Sequence, residues 1–383
     1  MSTKADAAKK AAEKEAQTWA APSATDSPIP VTILTGFLGA GKTTLLNRIL
    51  KENHGEKIAV IENEFGEEGV DNEILADSKE QIVEMNNGCI CCTVRGDLIR
   101  ILNNLYKRRA KGEFNFTRVV IETTGMADPA PVAQTFFADE KVNERYLLDA
   151  VITVVDAKHG ITQLKDFTEA QQQVAFADRL LVSKTDVTTE EETQTLMERL
   201  RKLNVRAPIT KVNFGVTPIK ELIDIRGFNL NAILDIQPDF LTNSDHEHHD
   251  EVASFYIKTD KPLDVRKVDR YIGSLINLYG EQMLRYKGIL NIKGEPRRVV
   301  FQGVHMMAGF DFASEWPEDA KRESTVVFIG RKLPEALFRE LFEDCYASDE
   351  TPDDVKAYAQ GSVVWRLADK AVTPPYDADL RAR

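Results

Sequence analysis

Short apolar, β-branched runs alternate with segments of helical periodicity along the first part of the chain. The runs are VTILT (31–35), KIAVIE (57–62), QIVEM (81–85), RVVIET (118–123), AVITVVD (150–156) and RLLVSK (179–184). Segments between them, such as TTLLNRILKEN and TTEEETQTLMERLRKLN, carry apolar residues at helical spacing. This alternation predicts an α/β domain over residues 30–237, with a mostly parallel sheet covered by helices on both faces.

The pattern changes after residue 237. Residues 238–251, PDFLTNSDHEHHDE, show little periodicity and are interpreted as a linker. From residue 252 to residue 346, strand-like runs such as VASFYIK, LRYKGIL and STVVFIGRK follow in quick succession, with two helical segments among them. They predict a smaller C-terminal α+β domain with an antiparallel sheet. Residues 1–29 are expected to be a flexible tail, and residues 347–383 a polar tail.

Composition limits the classes of partner. A chain of 383 residues is long enough for two domains, at one per roughly 150 residues. Its 49 basic and 61 acidic residues give a net charge of −12, which argues against nucleic acid or an anionic membrane as the main partner. The N-terminus has no apolar signal-peptide core, and no apolar run approaches the roughly 18 residues of a membrane span. Free thiols without an export signal favour a cytoplasmic location.

A glycine-rich segment, GFLGAGKTT (36–44), follows the first apolar run and opens a helical segment. It matches G-x-x-x-x-G-K-[ST], in which backbone N–H groups cradle phosphates, the lysine reaches the β- and γ-oxygens and the hydroxyl binds Mg²⁺. A glycine-rich turn with a chance lysine is the alternative, which the strand–turn–helix context disfavours. The nucleotide-binding candidates are Gly36, Gly39, Ala40, Gly41, Lys42, Thr43 and Thr44.

A phosphate loop needs a second acid for Mg²⁺ or its waters. Glu122 meets this need because it ends the apolar run in VVIETTG. The alternative is a strand-end glutamate that faces solvent. Lys42 and Glu122 are therefore the residues predicted to support catalysis.

The base of the bound nucleotide is predicted from SKTD (183–186), which lies at the end of another apolar run. An aspartate at position 186 can accept from guanine N1–H and N2–H₂ while the Lys184 stem packs on the base, and adenine lacks those donors. The usual form is N-K-x-D, so Ser183 weakens the guanine prediction. An ordinary strand-to-helix turn is the alternative.

Three of the four cysteines, Cys89, Cys91 and Cys92, lie within NNGCICCT (86–93), here called the thiol loop. Disulfide geometry fits so short a loop only with strain. Thiolates with a carboxylate suit Zn²⁺, and also Co²⁺, Ni²⁺ or Cu⁺. A further ligand is expected, and Glu62 and Glu67 are the nearest acidic candidates. A redox pair remains the alternative.

Two other segments add to the metal hypothesis. The acidic loop ENEFGEEGVD (62–71) occupies an interval that in nucleotide switches is ordered by γ-phosphate and Mg²⁺, although a solvated charged turn is the alternative. His246, His248 and His249 in the linker are candidates for a second, weaker metal site, and a solvated hinge explains them nearly as well.

Taken together, TGFLGAGKTTLLN, ENEFGE, NNGCICC, IETTGMADP, SKTD, LRYKGIL and FQGVHMM resemble the CobW-type metal-handling GTPases of the SIMIBI class, and among them the YjiA-like branch. The resemblance implies a GTPase that binds Zn²⁺ or a related metal and delivers it to client proteins. It implies that Lys184 and Asp186 read guanine, that Glu122 stands where other GTPases carry aspartate, and that the three clustered cysteines are metal ligands. Glu62 and Glu67 match acidic metal-binding positions. Ser183 and the short histidine tract depart from the family pattern.

The closeness of thiol loop and phosphate loop suggests that nucleotide state controls metal affinity. GTP with Mg²⁺ would complete the metal site, and hydrolysis would release the ion. No arginine finger is recognisable, so slow intrinsic turnover is expected. A metal buffer or sensor without a client is the main alternative, and a small-molecule kinase is disfavoured by Asp186 and the thiols. The second domain is expected to offer a surface for a client or for a homodimer.

Overall fold

The structure is a computed structural model that describes residues 28–52, 55–62, 81–84, 92–219, 222–223, 225, 252–317 and 320–352. Most of the acidic loop, the thiol loop before Cys92, the histidine tract and most of both tails lie outside these ranges. The described residues from Ile29 onward belong to one compact unit.

Seven strands of the described residues form one sheet in which every neighbouring pair is parallel. They are β1 (Ile29–Gly36), β2 (Ile58–Glu62), β3 (Gln81–Glu84), β4 (Arg118–Glu122), β5 (Tyr146–Asp156), β6 (Arg179–Ser183) and β7 (Ile209–Val212). The order is β3-β2-β4-β1-β5-β6-β7, so β1 lies between β4 and β5. The predicted mostly parallel sheet is confirmed.

Seven helices accompany this sheet in the described ranges: α1 (Lys42–Lys51), α2 (Cys92–Ala110), α3 (Ala130–Ala138), α4 (Glu140–Arg145), α5 (Gly160–Asp166), α6 (Thr168–Phe176) and α7 (Glu190–Leu203). Leu45 and Ile49 of α1 share one buried cluster with alternate residues of the strands, such as Val120. The intervening strand residues, such as Ile121, belong to another cluster with α2, α3, α6 and α7. The helices therefore cover both faces, as the near-continuous burial of parallel strands requires.

The second sheet is antiparallel throughout and has five described strands: β8 (Val252–Thr259), β9 (Met283–Leu290), β10 (Arg297–Val304), β11 (Met307–Glu315) and β12 (Ser324–Arg331). Their order is β11-β10-β9-β12-β8. Helices α8 (Val265–Tyr279) and α9 (Glu335–Glu343) share an aromatic core with one face. The predicted α+β domain with an antiparallel sheet is confirmed. Packing continues past residue 346, because the buried Thr351 hydroxyl donates to Asp264 Oδ2 at 3.0 Å.

A buried ion cluster joins the two sheets. Asp178, just before β6, accepts from Arg285 of β9 at 2.5 Å and from Arg206 at 2.9 Å, and Lys287 Nζ lies 3.5 Å away. Its second oxygen accepts from the backbone N–H of Val151 at 2.9 Å. Burial raises the pKa of Asp178, but the surrounding cations outweigh burial and hold that pKa well below its usual range. The arginine and lysine of the LRYKGIL motif thus have a structural role between the sheets.

Across the described part of the chain, none of the helices combines the length and apolar character needed to cross a bilayer.

Candidate nucleotide and metal site

The phosphate loop connects the end of β1 to the start of α1. Gly36 has φ 143°, and a Cβ there would lie 2.2 Å from the carbonyl oxygen of Val154, so a side chain cannot fit. Gly41 precedes the helix with φ 99° and carries no capping side chain. The first N–H groups of α1 are therefore left for an anion, which the helix dipole also favours.

Lys42 is buried at the first position of α1. Its Nζ lies 3.4 Å from the carbonyl oxygen of Phe37, within the same loop. Burial lowers the pKa of Lys42, while the nearby charge of Glu122 raises it in part. An ammonium group in this position is well suited to bind a phosphate oxygen, because the added negative charge would restore the favourable environment that burial removes.

Thr43 and Glu122 meet at the carboxyl end of the sheet. The Thr43 hydroxyl donates to Glu122 Oε1 at 3.0 Å. The residue after Glu122 anchors the end of β4 to β1, because the Thr123 N–H donates to the Leu34 carbonyl at 3.0 Å and its hydroxyl bonds to Thr35 at 2.8 Å. A hydroxyl and a carboxylate are oxygen ligands of the kind that Mg²⁺ prefers, so these side chains fit that ion.

The base loop, residues 183–187, begins at Ser183, the last residue of β6. The Ser183 hydroxyl donates to the Ala40 carbonyl of the phosphate loop at 2.7 Å. Lys184 has φ 57°, and its Nζ donates to Asp156 Oδ2 at 2.8 Å. Asp186 is exposed. The serine that departs from N-K-x-D therefore connects the base loop directly to the phosphate loop, which is a bracing role for this position.

Two residues of this site escaped the sequence reasoning. Asp156, buried at the end of β5, accepts from Lys184, from His159 Nδ1 at 3.2 Å and from the Lys158 N–H at 2.7 Å. Burial raises the pKa of Asp156, but these hydrogen bonds lower it overall. Asn213, after β7, accepts from the N–H and hydroxyl of Thr185 at 3.0 and 2.9 Å. Asp156 ends the apolar run AVITVVD, which is a sequence signal that could have found it, whereas Asn213 follows the half-polar strand ITKV and carries no such signal.

The candidate metal residues are only partly within the described ranges. Glu62 ends β2 and pairs in register with Glu122 of β4 on one side and with Glu84 of β3 on the other. Helix α2 begins at Cys92, so the thiol loop spans the connection from β3 to α2. Cys89, Cys91, Glu67, the side chain of Cys92 and the three linker histidines lie outside what the structure describes. Within the described ranges, no group of three or more His, Cys, Asp or Glu side chains could hold a metal ion.

Comparison with known proteins gives two family matches and close relatives. Residues 30–211 match the CobW/HypB/UreG nucleotide-binding domain, and residues 252–346 match the cobalamin synthesis protein cobW C-terminal domain. A protein of Escherichia coli named zinc chaperone YjiA is 47% identical over 317 residues, which cover 82% of this chain and 98% of that protein. A Pseudomonas aeruginosa protein named zinc chaperone CobW is 32% identical over 354 residues, with 82% and 91% coverage.

A solved structure shows the same fold. The crystal structure of the Zn(II)-bound YjiA GTPase from E. coli superposes with a TM-score of 0.68 at 41% identity. The match covers 84% of this chain and 100% of that chain. Both sheets described above therefore occur together in a solved relative.

Proposed function

This chain belongs to the CobW/HypB/UreG family, and we propose that it is a GTPase that binds zinc and transfers it to client proteins with an affinity set by the bound nucleotide. The relatives support this proposal, because two are named zinc chaperones and one is a GTPase with bound Zn(II). In this chain the phosphate loop, Glu122 and the base loop meet at one edge of the parallel sheet.

The proposed nucleotide chemistry follows from the geometry of that edge. The N-terminus of α1 and Lys42 hold the phosphates, and Thr43 with Glu122 hold Mg²⁺ or its waters. The bound ion neutralises the phosphate charge that develops during transfer to water. Lys184 and Asp186 read guanine, while Ser183 holds their loop against the phosphate loop. The proposed ligands in the thiol loop do not favour Co²⁺ or Ni²⁺ over Zn²⁺, and both ions are alternatives to zinc at that loop.

The observation that carries nucleotide gating is the register of Glu62 with Glu122. Neighbouring strands lie about 4.8 Å apart, and paired residues project from the same face of the sheet. Glu62, a proposed zinc ligand, therefore lies on the strand next to Glu122, a proposed Mg²⁺ ligand. A change at Glu122 on hydrolysis would act on the adjacent end of β2, from which the acidic loop continues towards Glu67. Cys89, Cys91 and Cys92 would complete the zinc site from the neighbouring β3–α2 connection.

We further propose a cytoplasmic location and the domain limits given above, except that the packing of the second domain continues from residue 346 to Thr351. This domain would offer the surface for a client or a second copy of the chain. Coupling between the two ligands must be reciprocal: if GTP tightens zinc binding about tenfold, zinc tightens GTP binding by the same factor, about 1.4 kcal/mol.

The test is a zinc titration of the reduced protein against a chelator of known affinity, once with Mg²⁺ and a GTP analogue and once with Mg²⁺ and GDP. We expect binding to be about tenfold tighter or more with the analogue. Cys91→Ala should weaken zinc binding in both states, whereas Cys345→Ala, which changes a buried cysteine of the second domain, should not. Equal affinity in both nucleotide states would reject the gating and favour a zinc buffer.

A further inference from the structure

The residues after β7 form a tight turn, NFGV (213–216), whose backbone is unusual. The N–H of Val216 donates to the carbonyl of Asn213 at 2.9 Å, and both central residues have positive φ, 51° at Phe214 and 71° at Gly215. Positive φ at both central positions defines a type I′ turn, which favours Asn, Asp and Gly. Glycine suits its position here, but phenylalanine at the preceding one does not, because its Cβ is crowded in the left-handed region.

Phe214 is not compensated by packing. Its side chain is 78% exposed, so the ring gains little from burial. A bulky residue with a strained backbone and an exposed ring stabilises neither the turn nor the hydrophobic core. Such conflicts between sequence and structure tend to mark functional positions.

Both neighbours of Phe214 in the turn contact the nucleotide site. Asn213 accepts the two hydrogen bonds from Thr185, which lies between Lys184 and Asp186 in the base loop. Gly215 packs on the first turns of α1, because a Cβ there would lie 3.3 Å from the Thr44 carbonyl oxygen and 3.2 Å from Leu45 Cα. The turn therefore spans from the base loop to the helix that follows the phosphate loop, with Phe214 between these two anchors.

We propose that Phe214 stacks on the nucleotide base and so forms an aromatic wall of the pocket that Lys184 and Asp186 begin. The base loop can recognise the edge of a purine through the Asp186 carboxylate and cover one face with the Lys184 stem, which leaves the other face in water. An aromatic ring supplies a partner for that face, and the stacking does not depend on which purine is bound. Phe214 is thus an affinity residue, whereas Asp186 is a specificity residue. This inference rests on the proposed nucleotide site.

The test compares dissociation constants of the full chain and of Phe214→Asn for GDP, IDP and ADP, with inorganic tripolyphosphate as a baseless probe. Asparagine suits a type I′ turn, so the nucleotide-free variant should melt at the same temperature as the wild type or higher. We expect about tenfold weaker binding of each nucleotide that the wild type binds measurably, and unchanged binding of tripolyphosphate. Phe214→Trp should restore the affinity.

Two control variants isolate the effect. Leu278→Asn replaces another exposed apolar residue, 67% accessible on α8 of the second domain, and should leave all dissociation constants unchanged. Asp186→Asn should weaken GDP selectively over ADP, because it replaces one of the two carboxylate oxygens that accept from guanine with an NH₂ donor.

The outcomes separate the two hypotheses. Unchanged GDP affinity in Phe214→Asn would overturn the stacking role, even if Asp186→Asn behaves as expected. An equal loss of tripolyphosphate binding would also overturn it, since the turn would then act on the phosphate loop. A wild type that does not prefer GDP to ADP would refute guanine selection, while the loss of ADP affinity in Phe214→Asn would still support stacking.

Discussion

The Thr43 hydroxyl donates a 3.0 Å hydrogen bond to Oε1 of Glu122. This contact joins the first turn of α1 to the carboxyl end of β4, because β1 and β4 are neighbours in the sheet. It brings the two side chains proposed for Mg²⁺ together next to the buried Lys42 ammonium. The two residues are 79 positions apart in the chain, so their contact depends on the order of the strands.

We expect Glu122→Gln to lower the turnover of GTP by about 100-fold or more, because the neutral amide is a poorer partner for Mg²⁺ and its waters. The measurement is phosphate release at several Mg²⁺ concentrations. Glu113→Gln, at an exposed residue paired with Arg108, is the matched control and should behave like the wild type. Full turnover in Glu122→Gln would rule out this role.

We expect Ser183→Ala to weaken GDP binding by about threefold to tenfold, because it removes the hydroxyl that donates a hydrogen bond from the base loop to the Ala40 carbonyl. Fluorescent GDP titration measures the effect. Thr195→Ala removes a comparable hydroxyl on the exposed face of α7 and should leave GDP affinity as it was. If both variants bind alike, the link between base loop and phosphate loop contributes nothing to affinity.

Glu62→Gln tests whether the pairing of Glu62 with Glu122, at the ends of β2 and β4, couples zinc binding to the nucleotide. We expect it to reduce the ratio of zinc affinities between the GTP-analogue and GDP states towards one, because the proposed zinc ligand beside Glu122 would lose its carboxylate. Chelator competition in both states measures the ratio. Glu56→Gln, on the loop before β2, is the control. A ratio that stays at its wild-type value in Glu62→Gln would remove Glu62 from the coupling.

Asp178→Asn should lower the free energy of unfolding by about 3–5 kcal/mol, because Arg285 and Lys287 would remain buried without their counter-ion. Urea denaturation measures this loss, and Asp260→Asn, which breaks an exposed and solvent-screened pair with Lys321, should leave the unfolding midpoint close to that of the wild type.

The difference in unfolding free energy between the wild type and Asp178→Asn should change with pH in a definite direction. The folded pKa of Asp178 lies below the unfolded value of about 3.9, so its carboxylate contributes stability above roughly pH 4 and loses it as the pH falls towards the folded pKa. The gap between wild type and Asp178→Asn should be constant from pH 5 to 7 and shrink below pH 4. A gap that grows in acid would contradict this assignment.

We expect Cys345 to be alkylated more slowly than the cysteines of the thiol loop. Burial raises its pKa to about 12, whereas an unfolded thiol ionises near pH 8.5, so little reactive thiolate forms in the native protein at pH 8. Between these two values the unfolded chain loses this proton first, and rising pH therefore favours unfolding. Mass spectrometry after a short iodoacetamide pulse should find Cys345 unmodified and the thiol loop alkylated, with zinc protecting the latter. Rapid alkylation of Cys345 in the folded protein would contradict its burial.

Much of the fold could be predicted because its signals are local. Strand runs such as residues 118–123 and 179–184 lie within a residue of β4 and β6, since a buried parallel strand needs only a continuous apolar stretch. The strand β7 and the helices α3 to α6 were not identified, because they are short and their periodicity is weak. In the second domain, the continuous strand-like segment PRRVVFQGVHMMAGFDF (296–312) divides into β10 and β11 at the turn that includes His305, with φ 51°.

The sequence by itself was sufficient to predict the phosphate loop, the candidate base loop and the thiol loop, because each depends on residue types at fixed short spacing. It also predicted the acid at Glu122, because that residue ends an apolar run. Tertiary structure alone decided that Lys184 meets Asp156, that Asn213 holds Thr185, and that Glu62 lies beside Glu122. It also decided that Asp178 gathers cations from the second sheet. These partners are far apart along the chain, and only the order of the strands and the packing of one sheet on the other bring them within a few ångströms.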